Sequence, residues 1–180
     1  MSKFEEKQIE REEIFDGAVL HVVKDKILLP DGNTSYREFC LHKGAVAVIP
    51  ITDNNEVIVV RQFRYAHHRE FLEIPAGKLD SPDEIPLEAA KRELAEETGA
   101  VALKYTLLGI LDTTPALIDE KIYMYMAEGL SFGEMHPDED EFLSVESIPL
   151  TALLDMVMSG EIRDGKTQIA ILKAARIKGI

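Results

Sequence analysis

The sequence is poor in the residues from which many metal and disulfide sites are built. Cys40 is the only cysteine among the 180 residues, so no disulfide can form within the chain. The five histidines follow no zinc-ligand spacing, and the adjacent pair His67 and His68 would point to opposite faces of a strand. These absences disfavour a thiol-based active site and a zinc centre built on cysteine and histidine.

Long apolar runs and a signal segment are also missing. No stretch approaches the ~18 consecutive apolar residues that a membrane-spanning helix needs. The first residues, MSKFEEKQIEREE, are polar throughout, unlike the charged-then-apolar pattern of a secretory signal. We therefore expect no membrane association and a cytoplasmic location.

Basic residues are outnumbered by acidic ones. The chain has 20 Lys and Arg residues against 33 Asp and Glu residues, and its formal net charge is −13. Affinity for nucleic acid rests on Lys and Arg side chains that neutralise phosphates, so nucleic acid is not an expected partner. An anionic small molecule would need a bound cation or local arginines to invert the field at its site.

What the sequence does contain is typical of one soluble domain with a small appendage, with 46% hydrophobic and 29% charged residues. In the N-terminal segment, residues 1–43, residues 14–15 are strand-like, and predicted strands at 19–29 and 35–41 flank a turn signal at 30–33. This hairpin is too small to be stable alone. It must therefore pack on the main domain, residues 44–180, or on another chain.

The main domain predicts several strands and few helices. Apolar or alternating segments indicate strands at residues 44–51, 57–63, 71–74, 105–112, 121–128 and 142–145. Apolar residues at helical spacing indicate helices at 150–158 and 166–177, in addition to an acidic helix that begins near Asp83 or Pro86. This pattern favours an α/β (α+β) fold in which a mixed sheet lies between helices, an α/β/α sandwich.

The acidic helix is the most informative segment of the chain. Residues 77–100 read GKLDSPDEIPLEAAKRELAEETGA, and Gly99 is placed to end the helix in a left-handed conformation. Glu93 and Glu97 are i, i+4 neighbours, with Glu96 beside them. Next to these carboxylates, one face of the helix carries the predicted core residues, which are Leu87, Ala90, Leu94 and Thr98.

Charges along this helix follow two patterns. Glu88 and Arg92 predict an i, i+4 ion pair on the outer side, whereas Glu93 and Glu97 place like charges at the same spacing, at a cost of about 0.2–0.5 kcal/mol. A divalent cation between the two carboxylates would remove that cost, since Mg²⁺ or Mn²⁺ bound to a diphosphate takes oxygen ligands. A solvated acidic face is the alternative for the ExxEE motif by itself.

The segment as a whole resembles the signature of Nudix hydrolases, which is Gly, five residues, Glu, seven residues, then Arg-Glu-apolar-x-Glu-Glu-x-Gly-apolar. The matching positions are Gly77, Glu84, Arg92, Glu93, Leu94, Glu96, Glu97, Gly99 and Ala100. Six residues rather than five separate Gly77 from Glu84. The additional residue falls in the loop at residues 80–83, where insertions are tolerated, and it leaves the helical register intact.

The resemblance extends beyond this signature to the ADP-ribose pyrophosphatase branch of the family. The segments GAVAVIPI, VIVVRQFRYA, EIPAGKL, DEDEFLSVE and GEIRDGKT are similar to that branch. So is Pro115 in TTPALIDE, because a proline at about this distance from the signature accompanies ADP-sugar substrates. In the family, the N-terminal segment pairs or swaps between two subunits, so the resemblance also implies a homodimer.

The resemblance assigns expected roles within the site. Mg²⁺, or Mn²⁺ as the alternative, is the implied cofactor. Gly77 gives the backbone room to approach the metal, and Arg92 orients the glutamates. The implied metal ligands are the carbonyl of Ala76 and the carboxylates of Glu93, Glu96, Glu97 and Glu141, with Glu96 either a ligand or a neighbour of the ligands.

A late acidic loop and three further residues complete the expected site. In the branch a glutamate on such a loop is the general base, which favours Glu139, with Glu141 as an additional metal ligand; a solvated acidic loop is the alternative. Substrate contacts are implied for Arg37, Arg64 and Glu120. A surface ion pair is the alternative role of each arginine.

The sequence and the resemblance together predict metal-dependent hydrolysis of ADP-ribose to AMP and ribose 5-phosphate. One alternative is the same chemistry on another nucleoside diphosphate derivative, such as a different nucleotide sugar, NADH or a dinucleoside polyphosphate. A second alternative, from another class, is a Nudix-fold ligand sensor that does not hydrolyse. The complete set of glutamates argues against the sensor.

Overall fold

The computed structural model describes residues 2–137 and 141–180. It divides into two compact units. The first comprises the chain up to Lys43 together with Asp112–Lys121, and the second comprises the described residues of Gly44–Leu111 and Ile122–Ile180. Glu139, the predicted general base, lies outside the described residues.

The first unit contains an antiparallel sheet of three strands, β1 (Lys7–Asp16), β2 (His21–Leu28) and β3 (Thr34–Leu41), in that order. The predicted hairpin is present as β2 and β3. Strand β1 was not predicted beyond two of its residues, because all ten of them are exposed and they show no alternation of apolar and polar side chains. The strand is held to β2 by its ladder and by Arg11, which donates twice to the buried carboxylate of Asp25 at 2.7 Å.

The second unit is built on a mixed sheet, in which β4 runs parallel to β9 and antiparallel to β5 and β7. Among the described residues the sheet has seven strands, with a main order of β10-β5-β4-β9-β8, while β6 pairs with β5 and β7 with β4. The strands are β4 (Ala45–Ile51), β5 (Glu56–Arg64), β6 (Arg69–Glu73), β7 (Ala76–Lys78), β8 (Ala100–Asp112), β9 (Lys121–Phe132) and β10 (Leu143–Pro149).

Helices cover both faces of this sheet. The helices are α1 (Pro86–Thr98), α2 (Leu150–Met158) and α3 (Gly165–Lys178). Strand β4 is buried throughout, and its side chains alternate between two cores. Val46 and Val48 pack with α1 residues such as Leu94, whereas Ile49 and Ile51 pack in the core that contains the α2 and α3 side chains. The predicted α/β/α sandwich with a mixed sheet is thereby confirmed.

Most predicted elements are present, with shifted ends. Helix α2 has the predicted bounds, whereas β8 and β9 extend further than their apolar patterns indicated. None of the helices in the described part of the chain is both long and apolar enough to cross a bilayer.

Candidate active site

Helix α1 carries two carboxylates into a buried position. The helix begins with Pro86 at its first turn and ends at Gly99, which adopts the expected left-handed conformation at φ 68° and donates its N–H to the carbonyl of Ala95. The apolar face of the helix packs on the sheet, with Leu94 fully buried. Because Glu93 and Glu97 flank that face, they are only 9% and 2% exposed.

Gly77 lies directly beneath the carboxylate of Glu93. A Cβ atom at position 77 would lie 2.0 Å from Cδ of Glu93 and 2.1 Å and 2.2 Å from its two oxygens. The glycine is therefore needed for close approach of a side chain, since its backbone conformation is not left-handed. Its strand, β7, pairs with the buried strand β4, so the floor beneath Glu93 is firmly placed.

Glu97 lies deeper than Glu93 and is incompletely paired. It accepts a hydrogen bond from the backbone N–H of Ala76, while its Oε2 is buried and has no hydrogen-bond partner among the described residues. Burial, together with the charges of Glu141 and Glu93, raises the pKa of Glu97 to about 8. An unpaired carboxylate oxygen in such a place is a candidate ligand for a cation.

Arg92 donates to several carboxylates of this group; the resemblance predicts that it orients the glutamates. Its guanidinium donates to Glu93 at 2.7 Å, to Glu96 at 3.1 Å and to Glu84 at 3.4 Å. Burial raises the pKa of Glu93 and the charge of Arg92 opposes that effect. The predicted pairing of Glu88 with Arg92 is wrong, because Arg92 turns towards these other carboxylates and Glu88 instead accepts from Lys91 at 2.8 Å.

The donor set suits a hard divalent cation. No three carboxylate, imidazole or thiolate groups within residues 2–137 and 141–180 are already gathered as a metal centre. Arg92 donates to one oxygen each of Glu93 and Glu96. Mg²⁺, however, commonly binds one or two carboxylates and keeps several waters. The free oxygen of Glu97 and the adjacent carboxylate of Glu93 meet that requirement, and Ala76, the predicted carbonyl ligand, already contacts Glu97.

The sequence did not predict that a second group of charged side chains comes together, formed by Arg64, Glu73, Lys166 and Asp164. Arg64 donates twice to Glu73 at 2.7 Å, and Lys166 donates both to Glu73 and, at 3.0 Å, to Asp164. Burial would raise the pKa of Glu73, but the hydrogen bonds from Arg64 and the charge of Lys166 hold it below its usual value. The only signal was that EIPAGKL and GEIRDGKT both matched the branch.

The second group borders the carboxylates of α1. Hydrogen bonds to Glu73 raise the pKa of Arg64, against its partial burial, and the charges of Asp164 and Glu97 add to that increase. The charge of Lys166 likewise acts on Glu97. Arg64 and Lys166 are therefore two basic residues close enough to the buried carboxylates of α1 to interact with the charge of Glu97.

The remaining predicted residues have separate surroundings. Arg37 and Glu120 belong to the first unit, where Arg37 donates to both oxygens of Glu6, and Glu120 accepts from the Thr113 hydroxyl at 2.8 Å. Glu141 is exposed, and its charge raises the pKa of both Glu93 and Glu97, which is consistent with its predicted place beside them.

Comparisons with known proteins give a matching family and similar relatives. Residues 41–167 match the NUDIX domain family. The chain is 43% identical over 173 residues to an ADP-ribose pyrophosphatase of Bacillus subtilis (strain 168), covering 95% of this chain and 93% of the relative. It is 42% identical over 170 residues to a methanol dehydrogenase activator of Bacillus methanolicus, covering 93% and 91%.

A solved structure shares the fold. The structure, described as an ADP compounds hydrolase, superposes with a TM-score of 0.86 and covers 99% of this chain and 97% of its own. Its sequence identity is 24%. The similarity therefore supports the α/β/α architecture described above.

The close approach at Gly77 predicts the effect of adding one methyl group there. Gly77→Ala should push the Glu93 carboxylate aside and weaken binding of Mn²⁺ by about tenfold or more, as measured by calorimetry. The fold should survive, because the displaced atoms are the end of a flexible side chain. Gly165→Ala is the matched control, since nothing lies within 4 Å of a Cβ atom at position 165. Equal Mn²⁺ affinities in the two variants would contradict the assignment of Glu93.

The raised pKa of Glu97 predicts how the stability of the metal-free protein depends on pH. Because the folded pKa of about 8 exceeds the ordinary value of 4.5, the native state binds the proton more tightly than the unfolded state does. The contribution of Glu97 is therefore fully present below about pH 4.5 and is lost as the pH rises through about 8.

Urea denaturation in the presence of EDTA should show a loss of about 1–3 kcal/mol between pH 5 and pH 8. Glu97→Gln should flatten this dependence, because Gln resembles the protonated acid at every pH. Mg²⁺ should stabilise the wild-type protein more at pH 8 than at pH 5, since binding requires the carboxylate. If Glu97→Gln kept the wild-type slope, the pH dependence would have to originate elsewhere.

Proposed function

The chain belongs to the Nudix family, and on that premise we propose that it hydrolyses ADP-ribose to AMP and ribose 5-phosphate with Mg²⁺, or Mn²⁺ as the alternative. The observation that carries the proposal is the buried pair Glu93 and Glu97, placed against Gly77 with one carboxylate oxygen unpaired. The substrate class is supported by the Bacillus subtilis relative, which is named for ADP-ribose, and by the match of Pro115 to that branch.

The reaction is the addition of water to one phosphorus and cleavage of the bond between the bridging oxygen and that phosphorus. Glu93 and Glu97, with Glu96, Glu141 and the carbonyl of Ala76, would hold a divalent cation, which when bound would neutralise diphosphate charge and make a water more acidic.

The protein's own groups prepare and orient the reactants. Arg92 holds Glu93 and Glu96 in position through hydrogen bonds of 2.7 Å and 3.1 Å. Arg64 uses Nε and Nη2 for Glu73, so among the described residues its third nitrogen is available for a phosphate oxygen. Glu139 is the proposed base that accepts the proton from the attacking water.

Two residues of the first unit are also proposed as substrate contacts. Arg37 is the proposed partner of a phosphate or of the base, and Glu120 is the proposed partner of the terminal ribose. Their present contacts, to Glu6 and Thr113 respectively, are side-chain contacts, so both residues can exchange partners at modest cost.

Hydrolysis should be measured with ADP-ribose in the presence and absence of Mg²⁺, with chromatographic separation of the products. GDP-mannose, NADH and diadenosine polyphosphates form the comparison panel. We expect AMP from ADP-ribose only with the metal, and faster than turnover of any panel member. Glu97→Gln should lower kcat by a factor on the order of 10² or more, while the variant remains folded.

The alternative outcomes separate the rival functions. A preference for another panel member would retain the diphosphate chemistry and overturn the choice of substrate. No turnover of any compound with metal present, combined with measurable binding of ADP-ribose, would favour the ligand sensor. Near-normal turnover by Glu97→Gln would show that the metal assignment is wrong.

We also propose that the chain works as a cytoplasmic homodimer joined through the first unit. Strand β1 is exposed along its whole length, and its apolar side chains Ile9, Ile14 and Phe15 are 53%, 51% and 57% exposed. Such side chains on one small sheet are typical of a surface that another chain covers.

Light scattering after size-exclusion chromatography tests this proposal. The wild-type protein should have twice the mass of the chain, and Ile14→Lys should shift it to the monomer because a charge would be buried in the interface. Leu103→Lys is the control, since Leu103 is 92% exposed on a strand of the second unit. A monomeric wild-type protein, or dissociation by both variants alike, would count against β1 as the interface.

A further inference from the structure

The start of helix α3 is fastened to the segment that precedes Gly77. Asp164 caps the helix, accepting from the N–H of Thr167 at 2.9 Å and from its hydroxyl at 2.5 Å. The hydroxyl oxygen of Thr167 in turn accepts from the N–H of Ile74 at 3.0 Å. Thr167 is fully buried, so this contact between residues 93 positions apart is shielded from water.

The segment from Glu73 to Gly77 is held from three sides. On helix α3, the Thr167 hydroxyl accepts from the N–H of Ile74. On strand β4, the N–H of Val48 donates to the carbonyl of Pro75 at 2.8 Å. On helix α1, the Glu97 carboxylate accepts from the N–H of Ala76. A displacement at the start of α3 would therefore be transmitted to the backbone beside the carboxylate pair.

Lys166 adds ion pairs to the hydrogen bonds that hold the start of α3. Its side chain is 11% exposed, and both its charged contacts are carboxylates, those of Glu73 and Asp164. Glu73 is 3% exposed at its side chain, whereas Arg64 on its other side is 42% exposed. The series runs from the partly buried Lys166 through the buried carboxylate of Glu73 to the more exposed Arg64.

We propose that Lys166 is a positioning residue for binding of the substrate diphosphate: it anchors Glu73, and Glu73 fixes the direction in which Arg64 presents its free edge beside the carboxylate pair. The Lys166 ammonium is already paired with Glu73 and Asp164, so its influence on the substrate is expected to pass through Glu73 and Arg64. A bidentate arginine held by a fixed carboxylate loses little further freedom when it binds a phosphate. The inference rests on the proposed function, whose substrate is a diphosphate.

Three variants of α3 separate positioning from general support of the fold. Lys166→Met removes the charge and keeps the length of the side chain, while Lys166→Arg restores a charge. Lys178→Met is the matched control, because Lys178 lies on the same helix and makes a similar ion pair, with Glu128 at 2.6 Å. Thermal unfolding of each variant establishes that it is folded before the kinetics are compared.

We expect Lys166→Met to raise KM for ADP-ribose about tenfold and to leave kcat within about threefold of wild type. Lys166→Arg should recover most of the loss, and Lys178→Met should leave both constants unchanged. A fall in melting temperature with unchanged KM would overturn the proposal, and so would a loss confined to kcat.

A double-mutant cycle tests the route through Arg64. If Lys166 acts on the substrate through Arg64, the combined effect of Lys166→Met and Arg64→Lys on KM should be clearly smaller than the product of the single effects. Multiplicative effects would mean that the two residues act independently, and would overturn the proposed link.

Binding of ADP, measured by calorimetry in the presence of Mg²⁺, distinguishes failure of the inference from failure of the proposed function. Weakened ADP binding by Lys166→Met, but not by Lys178→Met, in a protein that hydrolyses none of the panel would retain the positioning role and overturn the hydrolase. If the wild-type enzyme is active and both variants bind ADP equally well, the hydrolase is retained and the positioning role is overturned.

Discussion

The site depends on how closely helix α1 approaches strand β7. The absence of a side chain at Gly77 lets the carboxylate of Glu93 lie where a Cβ atom would be. Packing of the fully buried Ala90 and Leu94 against the sheet then carries Glu97 below the surface. Hydrophobic burial of α1 thus stabilises an arrangement of carboxylates that would otherwise cost free energy, which is typical of a functional site.

Arg92 offsets the repulsion between these carboxylates, and its hydrogen bonds to them can be exchanged for other partners. Arg92 takes one oxygen each from Glu93 and Glu96, but its side chain is 29% exposed, and it does not reach the unpaired oxygen of Glu97. A cation at Glu93 and Glu97 would therefore complement Arg92. The hydrogen bonds from Arg92 explain how a chain with a net charge of −13 can hold the acidic group together before a cation binds.

Basic groups beside the site are themselves neutralised. Arg64 and Lys166 share Glu73, and Lys166 also pairs with Asp164, so the two positive charges are matched by two negative ones. This second group of charged residues therefore contributes the orientation of Arg64 more than net positive charge. Attraction of an anionic diphosphate must come mainly from the cation, which is consistent with the dependence of the family's chemistry on divalent metals.

Local patterns were sufficient for much of the fold. The bounds of α2 and the end of α1 at Gly99 followed from helical periodicity and from the tolerance of glycine for positive φ. Strand β1 was missed because pairing with β2, rather than an apolar face of its own, keeps it in place. The Glu88 pairing failed because Arg92 had several competing carboxylates, and that competition exists only in three dimensions.

The site was predictable where its residues are neighbours in the chain, and not where distant segments meet. Spacing identified Glu93 and Glu97, but nothing in the spacing connects Ile74 with Thr167, 93 residues later. Glu73, Ala76 and Gly77 form one short segment whose position is set jointly by α1, β4 and α3. The Nudix signature therefore defines the carboxylates of the site, whereas the backbone beside them is placed in part by β4 and α3, which lie outside that signature.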